Sequence, residues 1–510
     1  MDGEGKLSAL DAAFLFFERP GEPLVLGCVL ELERSPGLCE LGAALLRAVA
    51  AVPRLMSIPR RVPFDLDRPS WTPDRSFSLG RHIGRLTLTD PGDATALAEA
   101  LEPLLSRALP EDRPPWDATL IEGGAGRPAV VVIRAHHCMV DGMAGLRILD
   151  TLTDPLPLAG ESAGARQTTS HRPRAGASVR AALAAPGALW DRVKDVAEIA
   201  NTAASLFHDD QAPRLPFNGA LSPRRRMAWI GLDLDEARTI ARHGAATVND
   251  VVLATISDGV RRWLGRRGTG AAKRLRIAVP VSLHGDDDPT GNLFSIMLPS
   301  LPLDAAAPLV RLERVRTETR RLRQRGQPRA VAFLLGAASA LPASIEALLP
   351  RLVPEQPVVN AVVTNVPGPA ETRTLAGVTI RALHGHVPLF RGMGLGFAVL
   401  SHAGRLSLAA TYDPEQVRDV RGLQRALQRS FSELRRATRA AGESTGHEDR
   451  VPPEEARPPR ATKRPQASAA PTPTPRRARG YRTPTSLAHA AELVAVTTPP
   501  VRRRAAGNQG

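Results

Sequence analysis

A chain of 510 residues and 54.5 kDa is longer than one hydrophobic core usually organises, so two domains are expected. Hydrophobic residues at 43% and charged residues at 23% exclude a wholly disordered chain and a multi-span membrane protein. The net charge of +15 does not mark a nucleic-acid binder. Only Lys6, Lys194, Lys273 and Lys463 of the 67 basic residues are lysines, an arginine skew that fits a GC-rich genome, and 4% aromatics leaves little for base stacking.

Residues 1–6 lack the basic region and long apolar core of a signal peptide, and Asp11, Glu18 and Arg19 interrupt the apolar run that follows. A cytoplasmic protein is expected. Cys28, Cys39 and Cys138 are too few and too irregularly spaced for a disulfide framework or a zinc site, which fits a reducing compartment. The first half reads as mixed α/β, with short β-prone apolar runs at 25–32 and 129–135 and helical spacing at 41–52 and 94–105. Gly, Ala, Ser and Arg dominate from 155 to 216, an interdomain connection in which 188–206 has helical spacing and should dock on a domain.

The second half repeats the mixture. Its clearest helix is 247–264, where Val248, Val251, Val252, Thr255, Ile256, Val260 and Leu264 share one stripe and Thr247 with Asp250 has capping-box spacing. Strands are expected at 275–280, 358–364, 394–400 and 406–411. Residues 309–325 form an arginine-dense helix, read as a solvated face in preference to a surface for anionic headgroups. The apolar stretch 330–349 is broken by Gly336, Pro342 and Glu346 and suits a buried or interfacial hairpin better than a membrane span. From 441 to 510 the chain is rich in Pro, Arg, Ala and Thr, with twelve basic and six acidic residues, and reads as a disordered, solvated tail. The organisation is thus a lobe at 1–154, a connection at 155–216, a second lobe at 217–440 and the tail.

The segment richest in chemistry is Arg134-Ala135-His136-His137-Cys138-Met139-Val140-Asp141-Gly142, placed directly after a strand. A strand end delivers side chains into a cleft, and a histidine there titrates near neutrality, so it can take a proton from a hydroxyl and return it to a leaving group. Neighbouring strand residues point to opposite faces, so only one of His136 and His137 should meet a substrate. A packed structural histidine is the plain alternative. A metal site with Asp141 as third ligand is another, but neither an i,i+4 histidine pair nor a Cys/His spacing is present. Cys138 is read as a small packed residue and not as a nucleophile.

His136-His137-x-x-x-Asp141-Gly142 resembles the HHxxxDG signature of CoA-dependent acyltransferases, and the chain is similar across residues 7–440 to the bacterial wax ester synthase/diacylglycerol acyltransferase family. Ser8, Leu10, Asp11 and Phe14 resemble that family's opening motif, and Arg113-Pro114-Pro115-Trp116-Asp117 resembles its R-P-L-W-E, with Pro115 in place of leucine. Leu221 to Arg226, Val248 to Leu253, Val279 to Ser282, Gly291-Asn292 and Thr364 to Pro369 follow in the family's order.

The resemblance implies an α/β fold of two chloramphenicol-acetyltransferase-like lobes with a substrate tunnel between them. It implies His137 as general base, His136 as support, Asp141 as a structural brace and Gly142 as the turn of the motif. Asn249, Asp250, Trp116 and Asn365 are the implied substrate-binding positions, although Thr247 and Asp250 also read as a plain helix cap and Asn365 as a turn former. The co-substrate would be acyl-CoA, with no permanent cofactor and no metal. Its acceptor would be diacylglycerol or a fatty alcohol, met at the inner membrane face or a lipid-droplet surface. The resemblance implies transfer without an acyl-enzyme. The rivals are an acyltransferase with another alcohol or an amine acceptor, and a catalytically weak lipid-binding protein.

Overall fold

A computed structural model describes residues 5–123, 126–140, 142–155, 212–266, 268, 272–282, 294–304, 307–327 and 358–448. Ser8 opens the first helix, α1 (Ala9–Phe17), by accepting the Asp11 N–H on its hydroxyl. There follow β1 (Val25–Leu32), α2 (Leu38–Ala51), the hairpin β2 (Ser57–Arg60) and β3 (Ser70–Pro73), β4 (Ile83–Thr87), α3 (Ala94–Ser106), β5 (Trp116–Glu122), β6 (Ala129–His136), α4 (Gly142–Leu152) and β7 (Thr153–Pro155). From residue 212 come β8 (Arg226–Asp233), α5 (Leu234–His243), α6 (Val248–Gly265), β9 (Arg274–Ser282), β10 (Phe294–Met297), β11 (Ser300–Pro302) and α7 (Pro308–Gln324). The chain then runs through β12 (Ala361–Val366), β13 (Arg373–Leu375), β14 (Val378–His386), β15 (Leu395–His402), β16 (Arg405–Tyr412) and α8 (Val420–Glu448).

The mixed α/β class is as expected, and the elements expected from periodicity fall within a few residues of these bounds. Helix α8 differs: it continues to Glu448, eight residues into the stretch assigned to the tail. Its buried stripe of Leu423, Leu427, Phe431, Leu434 and Thr438 anchors it, and Arg439-Ala440-Ala441 are good helix formers that carry it past the last packed turn. The expected helices at 188–206 and 330–349, and the tail from 449, lie outside the described residues.

Two large sheets organise the rest. One has the order β4-β5-β6-β1-β14-β13-β7, the other β10-β9-β12-β15-β16-β8 with β11 also on β9. Strands β13 and β14 come from the second half of the chain yet complete the first sheet, with β14 antiparallel to β1 and β13 antiparallel to β7. The first core packs β1, β5, β6 and β14 against α1, α2 and α4, and includes Leu30, Leu41, Leu120, Val131 and Leu383. The second packs its sheet against α5 to α8 around the fully buried Trp263 and Phe397. Asp258 of α6, itself buried, pins that helix layer by pairing with Arg311 of α7 at 2.9 Å.

A seam joins the sheets. Its apolar part sets Val29, Ile121, Val130 and Val132 of the first sheet and Leu97, Leu101, Leu104 and Leu105 of α3 against Met227 and Ala409 of the second. Its polar part is built from β14. His384 Nε2 lies 2.9 Å from Glu31 Oε1, so that nitrogen donates, and Nδ1 accepts from the Ser407 hydroxyl at 2.7 Å. Trp229 stacks on the same ring at 4.3 Å. His386 Nδ1 meets Thr411 Oγ1 at 3.0 Å. Gly385 between the two histidines has no room for a side chain, since a Cβ would stand 2.8 Å from that of Ala398.

Burial, with Arg134 and Arg225 nearby, pushes the His386 imidazole down to about 3. In the unfolded chain it titrates near 6.5, so between those values the unfolded state binds one more proton than the native one. The resulting penalty is absent above about pH 6.5 and grows as pH falls, by about 1.4 kcal/mol per pH unit for this one group. Urea unfolding between pH 7 and about 5 should show a shallower loss of stability for His386→Gln than for the wild type. An unchanged slope would contradict the assignment.

Candidate active site

Backbone hydrogen bonds hold the end of β6. The His136 N–H donates to Pro115 O at 2.9 Å, the His137 N–H to Leu24 O at 2.9 Å, and the Met139 N–H to His136 O at 2.9 Å, which starts a turn. The two side chains then part, as strand alternation requires. His136 is buried at 3% exposure, and His137 is half-buried.

His136 Nδ1 accepts the Cys138 N–H at 3.1 Å, so its proton sits on Nε2, which lies 3.3 Å from Glu18 Oε2. Glu18 Oε1 accepts the Leu24 N–H at 3.1 Å. Burial alone raises the Glu18 carboxyl, but the hydrogen bond and charge of His136, with the Leu24 N–H, outweigh it and hold the group below the ordinary carboxylate range. His137 instead lies flat on the Phe14 ring, with centroids 3.7 Å apart and planes inclined by 9°. Phe14 and Glu18 are four residues apart at the end of α1, a spacing that sets both on one helix face, each against a different histidine.

The rest of the motif is packed. Cys138, Met139 and Val140 are buried in the first core, and burial, helped by the charges of Asp11 and Glu18, pushes the Cys138 thiol well up. A thiol so disposed is a poor nucleophile. Gly142 is the first residue of α4, and Asp141 lies outside the described residues.

Two of the positions implied as substrate contacts are buried and bonded within the fold. Trp116 is buried on β5 opposite Ala135, donates its indole N–H to Leu55 O at 2.7 Å and stacks on His82 at 4.4 Å. Its neighbour Pro115 supplies the carbonyl that receives the His136 N–H, a service proline gives as well as leucine. Asp250 is 2% exposed and both its oxygens are used: Oδ2 accepts the Thr247 N–H at 2.9 Å and hydroxyl at 2.8 Å, and Oδ1 accepts the Thr319 hydroxyl of α7 at 2.8 Å. The Thr247–Asp250 capping box seen in the sequence is formed.

Asn249 and Asn365 meet. The Asn365 amide donates to Asn249 Oδ1 at 3.2 Å, joining the first turn of α6 to the end of β12, and turns the Asn249 NH2 away from that bond. Helix α4 touches β12, and Val366 packs against the core that holds Met139 and Val140. Both asparagines are half-buried. The arrangement offers a buried histidine beside a carboxylate, a half-buried histidine on an aromatic ring and a pair of joined amides, one on α6 and one on β12.

The wax ester synthase/diacylglycerol acyltransferase catalytic domain matches residues 7–252, and the WS/DGAT C-terminal domain matches 290–435. A probable diacylglycerol O-acyltransferase of Mycobacterium tuberculosis H37Rv is 32% identical over 461 residues, covering 86% of this chain and 98% of that protein. The O-acyltransferase WSD of Acinetobacter baylyi is 27% identical over 357 residues, covering 66% and 77%. Among solved structures, the wax ester synthase/diacylglycerol acyltransferase of Marinobacter aquaeolei VT8 shares the fold with a TM-score of 0.61 at 21% identity, covering 85% of this chain and 100% of the other. The starter condensation domain of rhizomide synthetase, solved in complex with C8-CoA and Leu-SNAC, does so with a TM-score of 0.55 at 14% identity, covering 86% and 95%. The chain belongs to the wax ester synthase/diacylglycerol acyltransferase family, and is an acyltransferase.

The structural and chemical positions of the neighbouring pair Asn249 and Asp250 separate in a melt. Asp250→Ala removes the acceptor of the Thr247 N–H and the tie to the Thr319 hydroxyl of α7, and should cost about 1–3 kcal/mol, visible as a lower melting temperature. Asn249→Ala should leave the melting temperature near that of the wild type. Equal losses would make Asn249 part of the frame as well.

Proposed function

We propose that this protein moves a long-chain acyl group from acyl-CoA to the hydroxyl of diacylglycerol, giving triacylglycerol, or of a long-chain alcohol, giving a wax ester, with His137 as general base. The observation that carries this reading is the division between the two histidines. His136 is buried between the Cys138 N–H and Glu18, while His137 lies half-buried on the Phe14 ring. In the reaction His137 takes the proton of the acceptor hydroxyl as its oxygen attacks the thioester carbonyl. The tetrahedral intermediate then breaks its C–S bond, and His137 returns the same proton to the CoA sulfur, so no acyl-enzyme forms and no cofactor is consumed.

The neighbouring groups have roles that follow from their contacts. Phe14 fixes the plane of the His137 ring and shields one face from water. His136, beside Glu18, positions the turn, and Gly142 lets α4 begin at once. Asn249, oriented by Asn365, carries the amide donors suited to the oxygen that becomes negative in the intermediate. Trp116 and Asp250 act through packing. Acyl-CoA and acceptor would enter from opposite sides between the two sheets. The acceptors are taken from the names of the relatives, and the alcohol class is preferred to the amine class because the relatives at 32% identity carry the diacylglycerol name. Among the described residues no helix is long and apolar enough to cross a membrane, which suits a protein that visits membrane or lipid-droplet surfaces from the cytoplasm.

The test is thiol release from palmitoyl-CoA by wild type and His137→Ala, given diacylglycerol or hexadecanol in parallel, with the lipid products resolved by chromatography. Acceptor-dependent turnover should fall by about 10²–10⁴ in the variant at an unchanged melting temperature. A folded variant that keeps most of its activity would overturn the assignment of the base.

A further inference from the structure

The β2–β3 hairpin forms its own two-stranded ladder, outside both large sheets. Its loop presents Phe64 at 90% and Leu66 at 71% exposure, the highest values among the large hydrophobic side chains of the described residues. Phe64 sits at φ 58° and ψ 17°, the left-handed region that is costly for a bulky aromatic. A phenylalanine that is strained and in water is unfavourable to the free protein on both counts. The loop is nonetheless fastened in this shape, since Arg61 grips Asp65 with Nε to Oδ1 at 3.1 Å and Nη2 to Oδ2 at 2.8 Å.

Charge around the tip has one sign. Its two acids are neutralised, Asp65 by Arg61 and Asp67 by Lys6, while Arg60 at the end of β2 is exposed, as is Arg54 over the Trp71 ring of β3. The tip is also tied to the site. The Arg61 guanidinium lies 5.2 Å over the Phe16 ring of α1. Residues 5–7 zip onto 69–71, with the Leu7 N–H donating to Pro69 O at 2.8 Å and the Trp71 N–H to Gly5 O at 3.0 Å. Two residues before Phe16, Phe14 covers His137. The arginine-dense helix α7 offers less to a lipid surface. Arg311 is buried on Asp258, and Arg314, Arg316 and Arg321 each hold a nearby carboxylate.

We propose that the Phe64–Leu66 tip enters an anionic lipid surface, with Phe64 and Leu66 in the headgroup–acyl boundary and Arg60, at the loop end of the hairpin, among the headgroup phosphates. A lipid acceptor then reaches His137 along α1 from the surface in which it is dissolved. That last step rests on the acyltransferase reading, whereas the docking does not.

The full-length protein is floated with phosphatidylcholine vesicles with and without phosphatidylglycerol, and its oligomeric state is followed by light scattering. The wild type should bind the phosphatidylglycerol vesicles more tightly, and Phe64→Ser/Leu66→Ser should bind them about tenfold or more weakly. Phe64→Gly should also weaken binding while melting no lower than the wild type, because glycine adopts the left-handed backbone without strain. Wild-type protein that ignores the vesicles, a double variant that binds as well as the wild type, or a Phe64→Gly protein that melts several degrees lower would overturn the proposal. So would a dimer that the double variant dissolves in the absence of lipid, which would assign the tip to a second copy. No arm depends on turnover, so failure here is distinguishable from failure of the acyltransferase chemistry.

Discussion

Strand β1 carries a ladder on each side, to β6 from its own half of the chain and to β14 from residues 378–386, and both the site and the seam depend on that double pairing. Closing so long a loop is entropically unfavourable, though the cost rises only with the logarithm of its length, and burial of the first core offsets it. The consequences reach both ends of β1. At its start Val25 faces His136, so the preceding Leu24 is placed to donate to Glu18 and to accept from His137. The carboxylate, the two histidines and the end of α1 are thereby fixed by one residue's N–H and C=O. At the other side Gly27 pairs with His386, whose strand bears the polar contacts to the second sheet.

This placement explains why two adjacent histidines behave differently. His136 faces inward, its tautomer set by the Cys138 N–H and its second nitrogen turned to a carboxylate. His137 faces outward onto Phe14. The asparagine pair belongs to the second half of the fold, one on α6 and one on β12, so its position relative to the histidines depends on the seam at His384 and His386.

Much of this was legible in the sequence because it is local. The spacing of apolar residues marked α2, α3, α6 and β1, and the strand-end position of the motif followed from Val130 to Ile133. Thr247 and Asp250 declared a helix cap, and the cap is formed. The surroundings of Trp116 were not legible, because His82 and Leu55 reach it only through folding.

Other features have no local signature. That β13 and β14 complete the first sheet is a long-range pairing that periodicity cannot express. Glu18 could have been found only by knowing that α1 turns the face of Phe14 toward β6. Phe64 looks in sequence like any core residue, and its left-handed backbone is carried by neither glycine nor asparagine, the usual signals.

The central claim is direct transfer assisted by a presented histidine. Its most direct test is the intact mass of the protein after incubation with palmitoyl-CoA alone, followed by addition of diacylglycerol or hexadecanol. The account predicts an unmodified protein mass throughout and acylated lipid only after the acceptor is added. A protein heavier by one palmitoyl group before the acceptor arrives, and discharged when it does, would contradict it.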